Sequence, residues 1–321
     1  MSKRKFLYNP FRDSVYGPGE LLAGYDPADP ASYQRTFDFR VFRQFVVDGR
    51  AEPKEYFAAM MESLHDNSIT AALRDFLVGR PKIVGIMGSH AMKRGSEPYR
   101  RIAEMACRLT KEGFLVATGG GPGAMEAAHL GAFVAGARDL ALDQAIKTLS
   151  GQPDLPEKSG TIVSDSGQVN EDLVRKVHAW YRPAFELLQA TASTTQSLGV
   201  PTWLYGHEPP AVFASHVAKY FQNSLREDGL LAIAKYGVIY AEGRAGTLQE
   251  IFQDATQNYY KTLGWFSPMV LFGKQHWTET YPAAAVLKCL FGDADFQEYV
   301  LVTDSTQEAV EFIKAFQPPT A

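Results

Sequence analysis

Cysteine is nearly absent from this sequence. Cys107 and Cys289 are the two cysteines among 321 residues, and neither belongs to a Cys-x-x-Cys or Cys/His pair at metal-ligand spacing. This scarcity argues against a disulfide framework and against structural zinc. The histidines form no HExxH pattern and no His/Asp cluster at ligand spacing, so we predict no metal. The cysteine usage fits a reducing cytoplasm, where we expect the protein to reside.

Long runs of one residue class are also missing. The net charge is -4 and the basic residues form no long run of one sign, so we expect no nucleic-acid partner. The sequence contains no stretch of about 18 apolar residues, so we predict no membrane span. The basic start, residues 1–5, is followed by an apolar stretch that is broken at residues 9–10 (Asn-Pro), too early for a signal peptide. Hydrophobic residues make up 45% of the chain, which is typical of a packed soluble protein.

Strands and helices alternate along most of the chain. A buried strand at residues 82–89 leads to a helix at 98–112, a second buried strand at 114–118 and a helix at 124–135. The pattern then continues with a strand at 199–205, a helix at 211–227, a strand at 236–241, a helix at 246–260, a strand at 269–272, a helix at 282–291, a strand at 299–302 and a helix at 306–316. We therefore predict an α/β fold with a doubly wound, mainly parallel Rossmann-like sheet and helices on both faces.

Two segments lie outside this alternation. Residues 1–80 predict an irregular N-terminal arm followed by helices, with clear helical spacing at 55–78. Residues 136–195 predict a polar inserted segment with one helix at 171–190, and one interpretation of this segment is a lid. We accordingly predict a Rossmann-like nucleotide-binding domain over residues 81–321.

A first glycine-rich turn, residues 118–126 (TGGGPGAME), joins a strand to a helix. Backbone N–H groups and the helix dipole favour a phosphate there, although any one glycine could instead serve a tight turn that needs positive φ. The residues that we predict to bind the phosphate or nucleotide at this turn and at the end of the first strand are Gly88, Ser89, Gly119, Gly120, Gly121, Gly123, Met125 and Glu126. His90 is a weaker candidate, since a polar residue at a strand end is often merely solvated.

A second glycine turn, residues 242–250 (EGRAGTLQE), follows another strand. Ligands of open α/β sheets bind at these carboxyl edges, so both turns are expected to face one crevice. The phosphate-binding candidates here are Gly243, Arg244, Gly246 and Thr247. The Arg244 guanidinium could pair with a phosphate or lie on the surface. A competing interpretation is a capping box in which Thr247 caps a helix and Glu250 bonds back to its backbone.

Several catalytic patterns are absent. The sequence has no GxxxxGK[ST] loop and no GxGxxG fingerprint with an acid at the end of the next strand, so ATPase and dehydrogenase functions lose their main support. No GxSxG nucleophile elbow occurs either.

The two turns resemble those of the Lonely Guy (LOG) family of nucleoside-monophosphate phosphoribohydrolases, which are often labelled lysine decarboxylases. Residues 119–127 (GGGPGAMEA) resemble the family's GGGPGxMEA turn, residues 243–250 its PGGxGTxxE motif, and residues 85–89 (GIMGS) its opening strand. The resemblance runs from about residue 82 to 316, apart from the insertion. It implies hydrolysis of the N-glycosidic bond of a nucleoside 5′-monophosphate, with purine bases favoured. It also implies that no cofactor is needed and that the chain forms at least a dimer.

The resemblance also implies roles for individual residues. Glu250 falls on the family's catalytic glutamate, which stabilises the positive charge that develops on the sugar. Gly246 and Thr247 would hold the phosphate. The family's catalytic arginine has no certain counterpart: Arg226, at the end of the predicted helix 211–227, is our first candidate, and Lys219, two turns earlier, is the second. Either could instead be a solvated helix charge. Asp254, one turn beyond Glu250, is a weaker candidate for a second carboxylate.

The sequence departs from the family pattern in the second turn. Glu242 and Arg244 replace the Pro and the second Gly of PGG. This change favours an alternative function, a non-catalytic carrier of a nucleotide or cofactor on the same scaffold, like the molybdenum-cofactor carriers that LOG proteins resemble. A sensor of a nucleotide is a third possibility.

Overall fold

A computed structural model describes residues 6–80, 82–204, 209–262 and 264–319. Seven strands form one sheet in the order β4-β3-β2-β1-β5-β6-β7, and every neighbouring pair is parallel. The strands are β1 (Ile83–Met87), β2 (Leu115–Thr118), β3 (Ser197–Gly199), β4 (His216–Val217), β5 (Val238–Tyr240), β6 (Met269–Phe272) and β7 (Val300–Thr303). The sheet confirms the predicted doubly wound α/β fold.

Helices surround this sheet. The α-helices are α1 (Pro18–Leu21), α2 (Phe37–Asp48), α3 (Tyr56–Leu77), α4 (Glu97–Lys111), α5 (Ala124–Ala135), α6 (Leu142–Leu149), α7 (Glu171–Ala190), α8 (Asn223–Ile233), α9 (Ala245–Tyr259), α10 (Ala283–Phe291), α11 (Asp293–Tyr299) and α12 (Thr306–Ala315). Short 3-10 helices span Pro30–Arg35 and Ser159–Thr161, and a π-helical turn spans His276–Thr280. Within the described ranges, no helix has the length and apolar composition needed to cross a membrane.

The strand order reverses beside β1. Strand β1 pairs with β2 on one side and with β5 on the other, with Met87 opposite Tyr240. The chain reaches β5 only after passing through β3 and β4 on the far edge. A crevice outside the carboxyl ends of the strands is expected at such a reversal.

The predicted helix at 211–227 is wrong. Residues 216 and 217 form strand β4, paired with β3, and helix α8 begins only at Asn223. A short buried apolar run is compatible with either a strand or a helix, which explains the error. The strand predicted at 199–205 lies earlier, at Ser197–Gly199. Residue 205 and the basic start, residues 1–5, lie outside the described residues.

The N-terminal arm, a name used from here on for residues 6–80 with helices α1, α2 and α3, joins the core of the sheet. Tyr16 exchanges two antiparallel backbone hydrogen bonds of 2.8 Å with Val217 of β4. Helix α2, in a stretch that we predicted to be irregular, buries Phe39 and Phe42 in the same core as the strands. A continuous core therefore connects the arm to the Rossmann-like part, while the domain division near residue 80 stays a prediction.

The inserted segment is also packed. It contains α6 besides the predicted helix α7, and α7 buries Trp180 and Tyr181. The buried Arg94 donates a 2.6 Å hydrogen bond from Nη1 to the carbonyl oxygen of Trp180, and its guanidinium lies 3.7 Å from the centroid of the Trp180 ring. Helix α7 therefore packs against the body of the protein, and the lid interpretation stays a prediction.

Candidate phosphate-binding site

The first glycine turn follows β2 and leads into α5. Gly120 and Gly123 have φ of 71° and 70°, and a Cβ on Gly123 would lie 2.3 Å from the carbonyl oxygen of Ser89. The fold itself therefore requires glycine at these two positions. Gly119 differs, because its φ is not positive and its Cβ position lies 2.9 Å from Sδ of Met125 and 3.8 Å from Nη1 of Arg226, both of which are side-chain atoms.

A buried polar network supports this turn. The N–H of Gly120 donates to Oγ1 of Thr118 over 2.9 Å, and this oxygen lies 2.8 Å from Nε2 of His129. Nδ1 of His129 lies 2.9 Å from Oγ of Ser197. Burial lowers the pKa of His129 to about 3, so the imidazole is neutral at physiological pH. We did not predict this network from the sequence, because its side chains come from three separate elements, β2, α5 and β3.

Two residues predicted to bind ligand at this turn make protein contacts instead. Glu126 is 1% exposed, and its carboxylate accepts hydrogen bonds of 2.8 and 2.5 Å from Arg94 and one of 3.1 Å from Tyr99. Its prediction as a nucleotide-binding residue is therefore corrected to a structural role. The Sδ atom of Met125 lies 3.4 Å from the backbone N of Gly121, so Met125 covers part of the turn.

The second turn follows β5 and leads into α9. Helix α9 begins at Ala245 after Arg244, and no side chain caps its N-terminus. Thr247 lies inside the helix, so the capping-box interpretation is wrong. A Cβ on Gly243 would lie 2.1 Å from Oγ1 of Thr247, whereas no atom lies within 4 Å of the Cβ position of Gly246. Packing therefore does not require glycine at position 246.

The residues nominated as the catalytic pair lie next to each other. Nη1 of Arg226, in the first turn of α8, is 3.9 Å from Oε1 of Glu250 on α9, and the side chains are 12% and 15% exposed. Nε of Arg226 is buried and has no acceptor among the described residues. Burial raises the pKa of Glu250 to about 7. The positive charge of Arg226 opposes this rise, and the negative charge of Glu227 adds to it. This carboxyl group can therefore exchange a proton near neutral pH.

Two further residues of α8 belong to this site and were missed. Nδ2 of Asn223 donates a 2.6 Å hydrogen bond to Oε2 of Glu227, while Oδ1 of Asn223 is buried without a donor among the described residues. Positions 223, 226 and 227 share one helix face. They were missed because the wrong helix bounds placed this face in the last turn of a helix rather than in the first.

Lys219, our second cationic candidate, is not in the site. It precedes α8, is 1% exposed, and donates from Nζ to Oδ1 of Asp38 over 2.6 Å. The same oxygen accepts a 2.9 Å hydrogen bond from Nε1 of Trp203. Lys219 is therefore a buried structural cation, and neither a ligand-binding group nor a solvated helix charge.

Asp254, the proposed second carboxylate, is also buried below the site. It is 2% exposed and accepts a 2.7 Å hydrogen bond from the hydroxyl of Tyr240. Burial raises its pKa to about 7, and the Tyr240 hydrogen bond opposes this rise. Glu227, and not Asp254, is the carboxylate whose charge raises the pKa of Glu250.

The remaining candidates lie at the carboxyl edge of the sheet. A Cβ on Gly88 would lie 2.9 Å from the Cβ atoms of both Ala124 and Ala241, so this glycine lets the two turns approach each other. Ser89 donates its N–H to the carbonyl oxygen of Glu242 over 3.1 Å. His90 and Arg244 are exposed, and their roles stay predictions.

The N-terminus of α8 is held by the arm. Both carboxylate oxygens of the fully buried Asp66 accept hydrogen bonds from the N–H of Phe221, at 3.0 and 3.2 Å, and Oδ2 accepts another from Gln222 at 2.8 Å. Asp66 also contacts Nδ1 of His65 at 3.0 Å, and Nε2 of His65 lies 2.7 Å from the hydroxyl of Tyr16. The arm therefore helps to position the helix that carries Arg226.

The π-helical turn supports the second glycine turn. Nε2 of His276 lies 3.2 Å from the backbone N and 2.8 Å from the backbone O of Gly243. Nε1 of Trp277 donates to the carbonyl oxygen of Tyr240 over 3.1 Å. A π-helical turn often marks a functional site, but it has no clear sequence signal.

No protein-family model matches the sequence, and no curated protein matches it either. Among solved structures, the chain is similar to the molybdenum cofactor binding protein from the phototrophic bacterium Rippkaea orientalis, at 13% identity and a TM-score of 0.43, over 74% of this chain and 97% of that one. It is also similar to the Moco carrier protein from Chlamydomonas reinhardtii, at 17% identity and a TM-score of 0.43, over 73% of this chain and 96% of that one. These comparisons do not confirm the LOG resemblance, which stays a prediction.

Proposed function

We propose that this chain binds a phosphorylated ligand of the nucleotide class in the crevice between its two glycine turns. The observation that carries the proposal is the Nε–H of Arg226, which is buried without an acceptor among the described residues. Leaving a buried donor unsatisfied costs on the order of 1–3 kcal/mol. An anionic oxygen that accepts from this guanidinium would remove that cost.

The surroundings of Arg226 fit a phosphate. The N-terminus of α9 has no side-chain cap, so its first N–H groups and the helix dipole favour an anion. Gly246 leaves open space above this turn, which lets a ligand approach the backbone closely. A guanidinium and a helix N-terminus together recognise phosphate oxygens more strongly than either group alone.

A second candidate function is hydrolysis of the N-glycosidic bond of a nucleoside monophosphate. It is favoured by one observation, the 3.9 Å approach of Arg226 to Glu250. In this reaction water adds to the anomeric carbon, the bond to the base breaks, and the base leaves with a proton. The Glu250 carboxylate would stabilise the positive charge on the sugar or take a proton from the water.

Calorimetric titration with ribose 5-phosphate, AMP and GMP tests the proposed binding. We expect binding that weakens at least tenfold in Arg226→Met, since a charged hydrogen bond contributes about 1.5–3 kcal/mol. Arg175→Met removes an exposed arginine of α7 and is the matched control, expected to bind like the unmodified protein. Equal binding by both variants, or no binding by the unmodified protein, contradicts the proposal.

Chromatography of the same mixtures separates the two candidates. Release of free base and ribose 5-phosphate by the unmodified protein, and not by Glu250→Gln, would establish the hydrolase. Binding of the nucleotide without base release would leave the carrier function, including carriers of a phosphorylated cofactor.

A further inference from the structure

A recess of about 180 Å³ lies at the carboxyl ends of β5 and β6. Its walls include apolar side chains from the loop after β1, from α4 and from β6, namely Met92, Pro98, Ile102 and Phe272. Glu242, the residue just before the second glycine turn, also lines it. The recess therefore lies at the carboxyl edge of the sheet, the edge at which open α/β sheets bind their ligands.

The size of the recess suits a planar ring and not a whole nucleotide. An apolar cavity of about 150 Å³ holds a benzene molecule, whereas pockets for entire small molecules occupy about 300–1,000 Å³. With its apolar walls, a recess of about 180 Å³ can accept a heterocyclic ring system whose sugar and phosphate stay outside it.

A short stretch of chain connects the recess to the second glycine turn. Glu242 lines the recess, and Gly246 lies four residues later in the first turn of α9. Four residues span at most about 14 Å even when fully extended. The loop after β1 contacts both places. Met92 of this loop lines the recess, and the N–H of Ser89 donates to the carbonyl oxygen of Glu242, just before the second glycine turn.

Among the described residues, three carboxylates line the recess, and two of them have protein partners. Oδ1 of Asp304 accepts a 2.8 Å hydrogen bond from the backbone N of Lys274, and Glu97 pairs with Arg101 at 2.9 Å. The carboxylate of Glu242 has no hydrogen bond or ion pair to any residue in the described part of the chain. It is exposed at the rim, so a ligand ring can reach it.

A carboxylate only accepts hydrogen bonds, and its two oxygens can accept two parallel N–H groups. Guanine presents such a pair, a ring N–H beside an exocyclic amino group. Adenine presents a donor beside an acceptor, so one of its two positions would meet a carboxylate oxygen unfavourably. Hypoxanthine keeps the ring N–H and lacks the exocyclic amino group.

We propose that this recess binds the ring of the phosphorylated ligand and that Glu242 selects a guanine-type ring. The inference rests on the proposed function, because the phosphate crevice holds the other end of the same ligand.

Calorimetric titrations of the full chain with GMP, IMP, AMP and ribose 5-phosphate test this inference, with the recovered nucleotides checked by chromatography. We expect GMP to bind about tenfold more tightly than IMP or AMP, since the amino group adds one charge-assisted hydrogen bond. In Glu242→Gln this preference should fall to about twofold or less, while ribose 5-phosphate binding stays unchanged. Glu157→Gln, which alters an exposed glutamate outside the recess, is the control.

A second variant tests the recess without changing the carboxylate. Met92→Trp should fill the recess and weaken GMP binding, again without changing ribose 5-phosphate binding. Equal affinities for GMP and IMP, or an unchanged GMP preference in Glu242→Gln, would overturn the inference while leaving the proposed function intact. Failure of the unmodified protein to bind ribose 5-phosphate or any nucleotide would overturn both.

Discussion

Nζ of Lys219 lies 2.6 Å from Oδ1 of Asp38, and both side chains are almost fully buried. The two residues are 181 positions apart, and their ion pair links helix α2 of the arm to the segment before α8. Oδ2 of Asp38 is buried without a partner among the described residues. This carboxylate therefore depends on Lys219 and on Trp203, its partners at Oδ1.

Removing Lys219 alone should destabilise the protein more than removing both charges. Lys219→Met leaves the Asp38 charge buried and unpaired, at a cost of about 3–5 kcal/mol in the free energy of unfolding. The double variant Asp38→Asn, Lys219→Met should recover at least half of this loss. Denaturant unfolding measures both values. Lys176→Met, at an exposed pair with Asp172, is the control and should change stability by less than about 1 kcal/mol.

Glu250 should make stability fall as the pH rises from about 4.5 to about 7. Burial raises its pKa from 4.5 to about 7 in the folded chain, so within this window the folded state holds a proton that the unfolded state has lost. The stability advantage of Glu250→Gln over the unmodified protein should thus be absent below this window. It should grow to at most about 3 kcal/mol above it.

Denaturant unfolding at pH 4.5, 6 and 8 measures this dependence. The pKa of Asp254 is also raised to about 7, so Asp254 should likewise make stability fall as the pH rises. Asp254→Asn should remove this part of the pH dependence. A stability difference between Glu250→Gln and the unmodified protein that does not change with pH would contradict the assignment.

Substitution by alanine should lower the stability of the protein at Gly123 but not at Gly246. Gly246→Ala adds a methyl group in open space on a helix, so stability should stay equal or rise by up to about 1 kcal/mol. Binding of ribose 5-phosphate should nevertheless weaken, because the methyl group obstructs the backbone. Gly123→Ala instead forces a Cβ to within 2.3 Å of a carbonyl oxygen at positive φ, so thermal unfolding should occur at a clearly lower temperature.

Asp66 should be needed for ligand binding although it lies outside the crevice. Asp66→Ala leaves the N–H groups of Phe221 and Gln222 without their acceptor, which should cost about 3 kcal/mol and loosen the first turn of α8. Ribose 5-phosphate should then bind several-fold more weakly at a temperature where the variant is still folded. Asp75→Ala, an exposed aspartate of α3, is the control. Unchanged binding by folded Asp66→Ala would show that the arm does not position Arg226.

The sequence predicted best where local signals agree. Helix α5 was predicted with its observed bounds, Ala124–Ala135, because a glycine turn precedes a continuous apolar stretch. Helix α7 was predicted equally well, at Glu171–Ala190. In both cases the residues that define the helix are neighbours in the chain, so tertiary contacts had little to change.

The sequence failed where distant segments decide the structure. Helix α8 starts at Asn223 because Asp66, more than 150 positions earlier, accepts the N–H groups just before it. The role of Lys219 depends in the same way on Asp38. The motifs nevertheless predicted two side chains, Glu250 and Arg226, that lie 3.9 Å apart in the structure, since glycine turns at strand ends bring their flanking helices to one edge of the sheet.

The backbone pairing of Tyr16 with Val217 has a consequence for assembly. Strand β4 is two residues long and forms one edge of the sheet, and Tyr16 occupies hydrogen-bonding groups that an edge strand would otherwise present. Exposed edges promote sheet-to-sheet association between molecules. A version of the protein that lacks the arm would therefore expose the unpaired backbone groups of strand β4. Such a protein should aggregate as well as lose ligand binding.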